Sequence, residues 1–358
     1  MNLRIIARNV LLLPVAFAAL AISPGHANAE PPAAKAGESL RGEWLPIDIG
    51  KLRLFPVVKW QVGDAKITAK EGPFEDSFSY KLDATVDPPA IDLTALDGQK
   101  KGKKFPGIWR RDGDFLEVCY DERPGAKRPR AFVTTSDLGG TRTLLFVRGT
   151  AAKPNEDVLA VRYAMKNLGQ ALHAYQQRIG QLPPAYLADM TGQPLSSWRV
   201  QILPFIEQRN AFKLFQANEP WSSAKNQIVT ELIVKTIVWP INAPPYNRSP
   251  YRVFQGKGML FEGSNPQKLP AEKALSTTIL LAEAPRVVWT KPEELLIDDN
   301  RPLPPLGGSV KGGFHVLLAD GSVRLIKEGF NEKVFRQLLL RDKRKQVKWE
   351  DLCAKGKD

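Results

Sequence analysis

His315, Asp320 and Ser322 are the residue types that acyl transfer uses: a base, an acid and a hydroxyl nucleophile. They lie five and two positions apart. One hairpin can hold all three, whereas a hydrolytic triad draws its members from separate elements and adds an oxyanion hole. No Gly-x-Ser-x-Gly elbow accompanies them. The spacing therefore predicts a hairpin with Asp320-Gly321 at its turn. Asp112, Asp114 and Asp92 could be taken for paired carboxylates. Asp112-Gly113-Asp114 is better explained as a turn, since Asp-Gly tolerates the positive φ that tight turns need, and a calcium loop needs further ligands at fixed spacing. His173 stands beside an apolar stripe and reads as a packed or surface residue rather than a ligand. Three His and two Cys in 358 residues, with no Cys pair at ligand spacing, point to no metal site and no iron–sulfur cluster. Gly307-Gly308 and Gly312-Gly313 lie in a Pro-rich stretch and match neither the Walker nor the Rossmann pattern, so no cofactor is expected. The reading is of a protein that is not an enzyme.

The binding chemistry rests on aromatic and cationic types. Trp198, Arg199, Trp221 and Trp289 are the candidate binding surface, a face suited to glycans or peptides, with core packing as the competing explanation. Trp60, Trp109, Phe115 and Tyr120 either fill a β core or line a pocket. Arg341 to Lys348 is a basic cluster in a chain of net charge +13. It reads as a solvated helix end or as a patch that attracts anionic partners.

The elements that must position these residues follow from periodicity. Residues 38–149 consist of short β-rich runs, about 10–12 residues apart, punctuated by Gly63-Asp64, Asp112-Gly113 and Gly139-Gly140; this is the pattern of an antiparallel sandwich or barrel. Gly149 to Pro154 reads as a boundary, with the linker at 150–154. Asn155 is a candidate N-cap, with Glu156 and Asp157 favourable at the start of a helix. Val158, Val161, Met165, Leu168, Leu172, Tyr175 and Ile179 then form one apolar stripe, and Arg162, Lys166, Gln170 and Gln177 are expected on the wet side. Gly180 and Pro183-Pro184 end that helix. Residues 155–342 are read as an α+β unit, a long N-terminal amphipathic helix packed on an antiparallel sheet, followed by a basic tail at 343–358.

Residues 1–29 have the form of an export signal: Arg4 and Arg8, an apolar run from Val10 to Ile22, and Ala27-Asn28-Ala29 before the expected cut after Ala29. The run is too short to span a bilayer, and no later one approaches 18 residues, so no transmembrane anchor is expected after cleavage. Residues 30–37 read as a flexible leader. Cleavage removes Arg4 and Arg8 and lowers the charge from +13 to +11. The expected location is periplasmic or secreted. There the basic cluster points to anionic envelope polymers or lipid headgroups rather than to nucleic acid. That compartment also permits a Cys119–Cys353 bond, although nothing in the sequence brings the two together.

Two resemblances add to this reading. Gly42-Glu43-Trp44, Ala90-Ile91-Asp92-Leu93, Gly107-Ile108-Trp109, Asp112 to Cys119 and Arg128-Pro129 resemble a planctomycete-type extracytoplasmic domain of unknown function. That segment is also similar to lipocalin-like barrels, which begin with Gly-x-Trp and end with an Arg that stacks on the Trp. The likeness implies an all-β antiparallel barrel closed by a structural contact between Trp44 and Arg148. Leu168 to Tyr175, Gly180 to Ala185, Ser197 to Val200, Leu203 to Gln208, Glu219-Pro220-Trp221, Glu283-Ala284, Val288 to Pro292 and Ala319 to Val323 resemble a second planctomycete family of unknown function, many of whose members look like pilins. Typical members begin with a prepilin-like apolar helix, which is replaced here by the β unit. Many also carry a His where this chain has Val310.

The expected function is that of a non-catalytic exported cell-envelope or matrix interaction protein, with an anionic polymer or another protein as partner. The first alternative is a barrel that binds a small molecule; a hydrolase of unknown class is the weakest.

Overall fold

The computed structural model describes residues 40–47, 58–135, 140–150, 155–239, 244–342, 347 and 349–353. The signal and leader readings for residues 1–37, and most of the linker and basic tail, fall outside these residues.

Eight strands follow one another around a closed antiparallel barrel: β1 (Gly42–Pro46), β2 (Lys59–Val62), β3 (Lys66–Glu71), β4 (Phe74–Asp83), β5 (Ala90–Ala95), β6 (Lys104–Asp112), β7 (Phe115–Asp121) and β8 (Thr141–Arg148). β1 and β8 complete the ring, with Trp44 opposite Arg148. Period-two alternation sorts the side chains. Trp44, Trp60, Ile67, Leu93, Leu116, Val118, Leu144 and Phe146 point inward and form the barrel core. Trp60 and Phe146 meet inside it, tilted at 41° with centroids 5.0 Å apart. The β6–β7 hairpin is tight, with Asp112 pairing Phe115 and Gly113 at φ +60°. An L-residue there would strain the backbone.

The helix α1 (Glu156–Ile179) follows. Asn155 caps it by accepting from Asp157 N at 2.8 Å, and Gly180, in the left-handed conformation, ends it. Short elements come next: β9 (Tyr186–Ala188), β10 (Pro194–Ser197), α2 (Trp198–Gln201), α3 (Arg209–Leu214), α4 (Ala224–Thr230) and α5 (Lys235–Val238). β9 and β10 pair with each other. The second sheet has the order β13-β11-β12-β14-β15, from β11 (Arg248–Gln255), β12 (Ile279–Val288), β13 (Leu295–Leu296), β14 (Gly313–Leu318) and β15 (Val323–Lys327). Only the β11–β13 pair is parallel. α6 (Glu332–Leu339) and α7 (Glu350–Cys353) close the described chain.

The sheet is a middle layer. Val161, Met165, Leu168 and Leu172 of α1 pack with Tyr251, Val253, Leu281 and Leu317 on one face. Phe335, Leu338 and Leu339 of α6 pack with Phe254, Phe314 and Val316 on the other.

The opposite side of α1 departs from expectation. Arg162 and Lys166 do not face water; both are buried. The outer wall of the barrel covers them, because β6, β7 and β8 present Arg110, Asp112, Glu117, Leu145 and Val147 outward toward the helix and the β14–β15 hairpin. Lys166 Nζ donates to Glu117 Oε2 at 3.1 Å, to Phe132 O at 3.1 Å and to Gly321 O at 2.5 Å. Arg110 Nη1 donates to Asp320 Oδ2 at 2.8 Å and to Ser322 Oγ at 2.7 Å. Arg162 pairs with Asp112, whose carboxyl is held below the usual range: burial opposes ionisation, and the Arg162 guanidinium outweighs it. A charged helix face stays buried when each charge meets an opposite one with geometry that repays desolvation. Gly321 sits at φ +78°, and a Cβ there would approach Phe132 O to 3.0 Å, so glycine is needed both for the turn and for the closeness of the two units.

Among the described residues, no helix is long and apolar enough to cross a membrane.

Candidate functional site

Strand β8 shows how the barrel is built along its axis. Its inward positions are Arg142, Leu144, Phe146 and Arg148, a charge at each end of an apolar pair. At one end Arg148 lies 4.7 Å over the Trp44 ring, and Trp44 Nε1 donates to Leu40 O at 2.8 Å; this end is shut. The other end opens into a cavity of about 260 Å³ whose lining includes Phe78, Phe105, Tyr120 and Arg142, with Asp97 and Lys100 at the rim.

The walls of this mouth are organised around Phe105. Phe78 and Tyr120 each meet it edge-on, at 6.3 Å and at 84° and 73°. Edge-to-face pairs leave ring faces free to receive a further group. Lys100 Nζ lies 5.6 Å from the Phe105 centroid. Arg142 Nη2 donates to Glu71 Oε2 at 2.7 Å and Nη1 to Glu122 Oε1 at 3.1 Å. Burial pushes the Tyr120 hydroxyl up to about 12, so it stays neutral. Asp97 is held below the usual carboxylate range by the Ser77 N–H, which it accepts at 3.1 Å, and is ionised at neutral pH. The arrangement can hold a small molecule between aromatic faces. It offers no nucleophile poised beside a base.

Elsewhere, ionisable groups from distant segments converge. His315, Glu283, Asp320, Ser322 and His173 each have a partner. His315 Nδ1 lies 2.7 Å from Glu283 Oε2 and 3.4 Å from Ser309 Oγ. A relay needs the acid on one ring nitrogen and the nucleophile on the other; here both share Nδ1. Glu283 also accepts from the backbone N–H groups of His315 and Ser309; burial opposes its ionisation, but the His315 ring first and these N–H groups second hold its carboxyl low. Asp320 and Ser322 bond each other at 2.6 Å and engage Arg110, not His315. His173 Nε2 meets Ala319 O at 2.8 Å, and burial lowers its pKa.

The proposed aromatic–cationic surface is corrected. Trp198, Arg199 and Trp289 are fully buried, and Trp221 is partly so. Arg199 forms a two-pronged pair with Glu294, at 2.7 and 3.2 Å, with neither side chain exposed. Trp289 Nε1 donates to Thr230 O at 3.1 Å. These residues clamp the α+β core. Trp60 and Trp109 also belong to the barrel core, and Phe115 packs outside the wall beside Arg162, whose Cζ is 3.9 Å from its ring centroid. Asp92 pairs with Arg128 at 2.8 Å. Asp112 and Asp320, read only as turn residues, also anchor Arg162 and Arg110.

Sequence reasoning singled out Tyr120 but missed Phe78, Phe105 and Arg142. A signal existed: counting in twos from Arg148 places Arg142 on the same inward face.

A wider groove of about 840 Å³ runs beside α6 and β13. Its charged lining mixes exposed Lys257, Glu332 and Lys333 with half-buried Asp298 and Arg336, and Arg336 is paired with Glu332 at 2.8 Å. Among the described residues, no group of three or more His, Cys, Asp or Glu side chains is placed to hold a metal ion.

Residues 163–268 match a family model described as a protein of unknown function (DUF1559). The matched stretch runs from within α1 past β11 and includes the motifs from Leu168 to Trp221. The uncharacterised-domain reading of that stretch therefore stands. No curated protein matches the chain.

Proposed function

We propose that this chain is an exported, non-catalytic binding protein and that the open mouth of its barrel is the site for a small ligand. The observation that carries the reading is the aromatic-walled cavity of about 260 Å³ at the end opposite the Trp44–Arg148 closure. Small-ligand sites are concave, largely apolar and furnished with a few placed polar groups. The paired state of the buried His, Asp, Glu and Ser groups elsewhere supports a role without catalysis. The eight-stranded closure over a Trp–Arg contact supports a lipocalin-like kinship for the barrel. One long helix on a mainly antiparallel sheet supports a pilin-like kinship for the rest. Export rests on the form of residues 1–29, and the expected location remains the periplasm or the exterior.

The test is an NMR titration of the mature protein with a collection of small aromatic compounds. Binding at the mouth shifts resonances of Phe78, Phe105 and Tyr120 and leaves those of α6 still. A collection that moves none of the three rings overturns the reading. N-terminal sequencing of the protein from fractionated cells tests the cut after Ala29.

A second reading, interaction with a protein or polymer of the envelope or matrix, draws on a different observation. Phe212, Leu214, Ile228, Leu232 and Ile233 are exposed on and just after the contacting helices α3 and α4. Exposed apolar groups concentrated in one segment mark interaction surfaces. Co-purification of a partner that is lost with Ile228→Ser and Leu214→Ser would support it.

A further inference from the structure

We propose that the ligand class of the barrel mouth is a small organic cation, an arylalkylammonium or a quaternary ammonium. This rests on the mouth being a binding site, as argued above.

The charge balance is the first support. The chain as a whole is basic, with 51 Lys and Arg against 38 Asp and Glu. The mouth reverses this. Arg142 is shared between two carboxylates, Glu71 and Glu122, so its charge is more than compensated. Lys100 is the other cation of the lining, which also includes Asp76 and Asp97. An anionic ligand would meet the three carboxylates of the lining, Asp76, Asp97 and Glu122, and a guanidinium with both terminal nitrogens already engaged. A cation would meet an acidic rim over neutral aromatic walls.

The rings are the second support. A cation over an aromatic face is drawn by the ring quadrupole, more strongly when it is shielded from water. Phe105 already seats one: the Lys100 ammonium at 5.6 Å. Lys100 belongs to the connection between β5 and β6, and its side chain is exposed. It acts as a tethered stand-in that a free cation displaces. Tyr120, neutral and edge-on to Phe105, adds a second π surface without adding charge. The volume of about 260 Å³ suits a single-ring compound rather than a drug-sized one.

The experiment is isothermal titration of the mature protein with three probes of similar size: benzyltrimethylammonium, benzoate and benzyl alcohol. The cation is expected to bind at least about tenfold more tightly than either of the others, and its binding should weaken as salt is added. Lys100→Met, an exposed substitution that leaves the fold intact, should tighten the cation by removing its competitor; Asp76→Asn should loosen it. Benzoate or benzyl alcohol binding as well as the cation overturns the proposed class while leaving the mouth as a site. Failure of all three to bind removes the mouth reading and this one with it. Cation binding indifferent to both Lys100→Met and Asp76→Asn places the probe elsewhere and also overturns the proposal.

Discussion

Lys166 Nζ sits 3.1 Å from Glu117 Oε2, the two side chains being 3% and 8% exposed. The pair joins the middle of α1 to the outer wall of the barrel across 49 positions of sequence. Lys166→Met would strand the Glu117 charge and two carbonyl oxygens, those of Phe132 and Gly321. Removing one partner of a buried pair costs about 3–5 kcal/mol. Urea unfolding followed by circular dichroism should show that loss, and Lys166→Met with Glu117→Leu should recover part of it.

Cys119 is a buried free thiol between Ile108 and Phe132. Burial pushes its pKa up to about 11. The thiolate is the reactive form. In a Cys353→Ser background the native protein should therefore resist a thiol reagent at mildly alkaline pH and react stoichiometrically once unfolded. Prompt labelling of the folded protein would contradict its placement.

Acid should destabilise the fold as the pH falls through the histidine range. Burial lowers the pKa of both His173 and His315 below the ordinary 6.5. Lys166 also disfavours the charged form of His173, against Asp320, and Arg162 does so for His315, against Glu283 and Asp112. Above the unfolded value both states are neutral and stability is fully present. Below it the unfolded chain takes up protons that the folded one refuses, and stability falls by up to about 1.4 kcal/mol per pH unit for each histidine. Urea midpoints measured from about pH 7.5 down to about 5.5 should drop. His173→Gln should flatten part of that slope.

At the shut end of the barrel, Arg148→Met removes the cation over Trp44 and should cost about 0.5–2 kcal/mol. Trp44→Ala empties a fully buried site and should cost about 3–5 kcal/mol. Thermal unfolding of the two variants checks both the order and the size of the effects.

Local pattern made much of the architecture readable. The turn-punctuated β runs became eight strands, because each alternates inward and outward and each pairs with its sequence neighbour. The apolar stripe from Val161 to Leu172 marked the side of α1 that meets the sheet. What sequence could not reveal was what covers the other side. Arg162 and Lys166 look like solvent-facing residues until Asp112 and Glu117, about fifty positions earlier, are brought over them. The same limit misled the reading of Trp198 and Arg199: Arg next to Trp suggests a binding face, and only the distant Glu294 turns Arg199 into a buried strut. Of the mouth, Tyr120 was singled out. Phe78, Phe105 and Arg142 come from three strands, and no motif on any one of them announces a cavity.

Trp60 pairs with Trp44 across β1 and β2, and its ring lies 5.0 Å from that of Phe146, so large side chains fill the barrel at its shut end. The structure is thus a cup and not a pipe. With the Trp44 end filled, whatever enters past Phe105 leaves by the same door, and the direction in which that door faces decides which solution the protein samples.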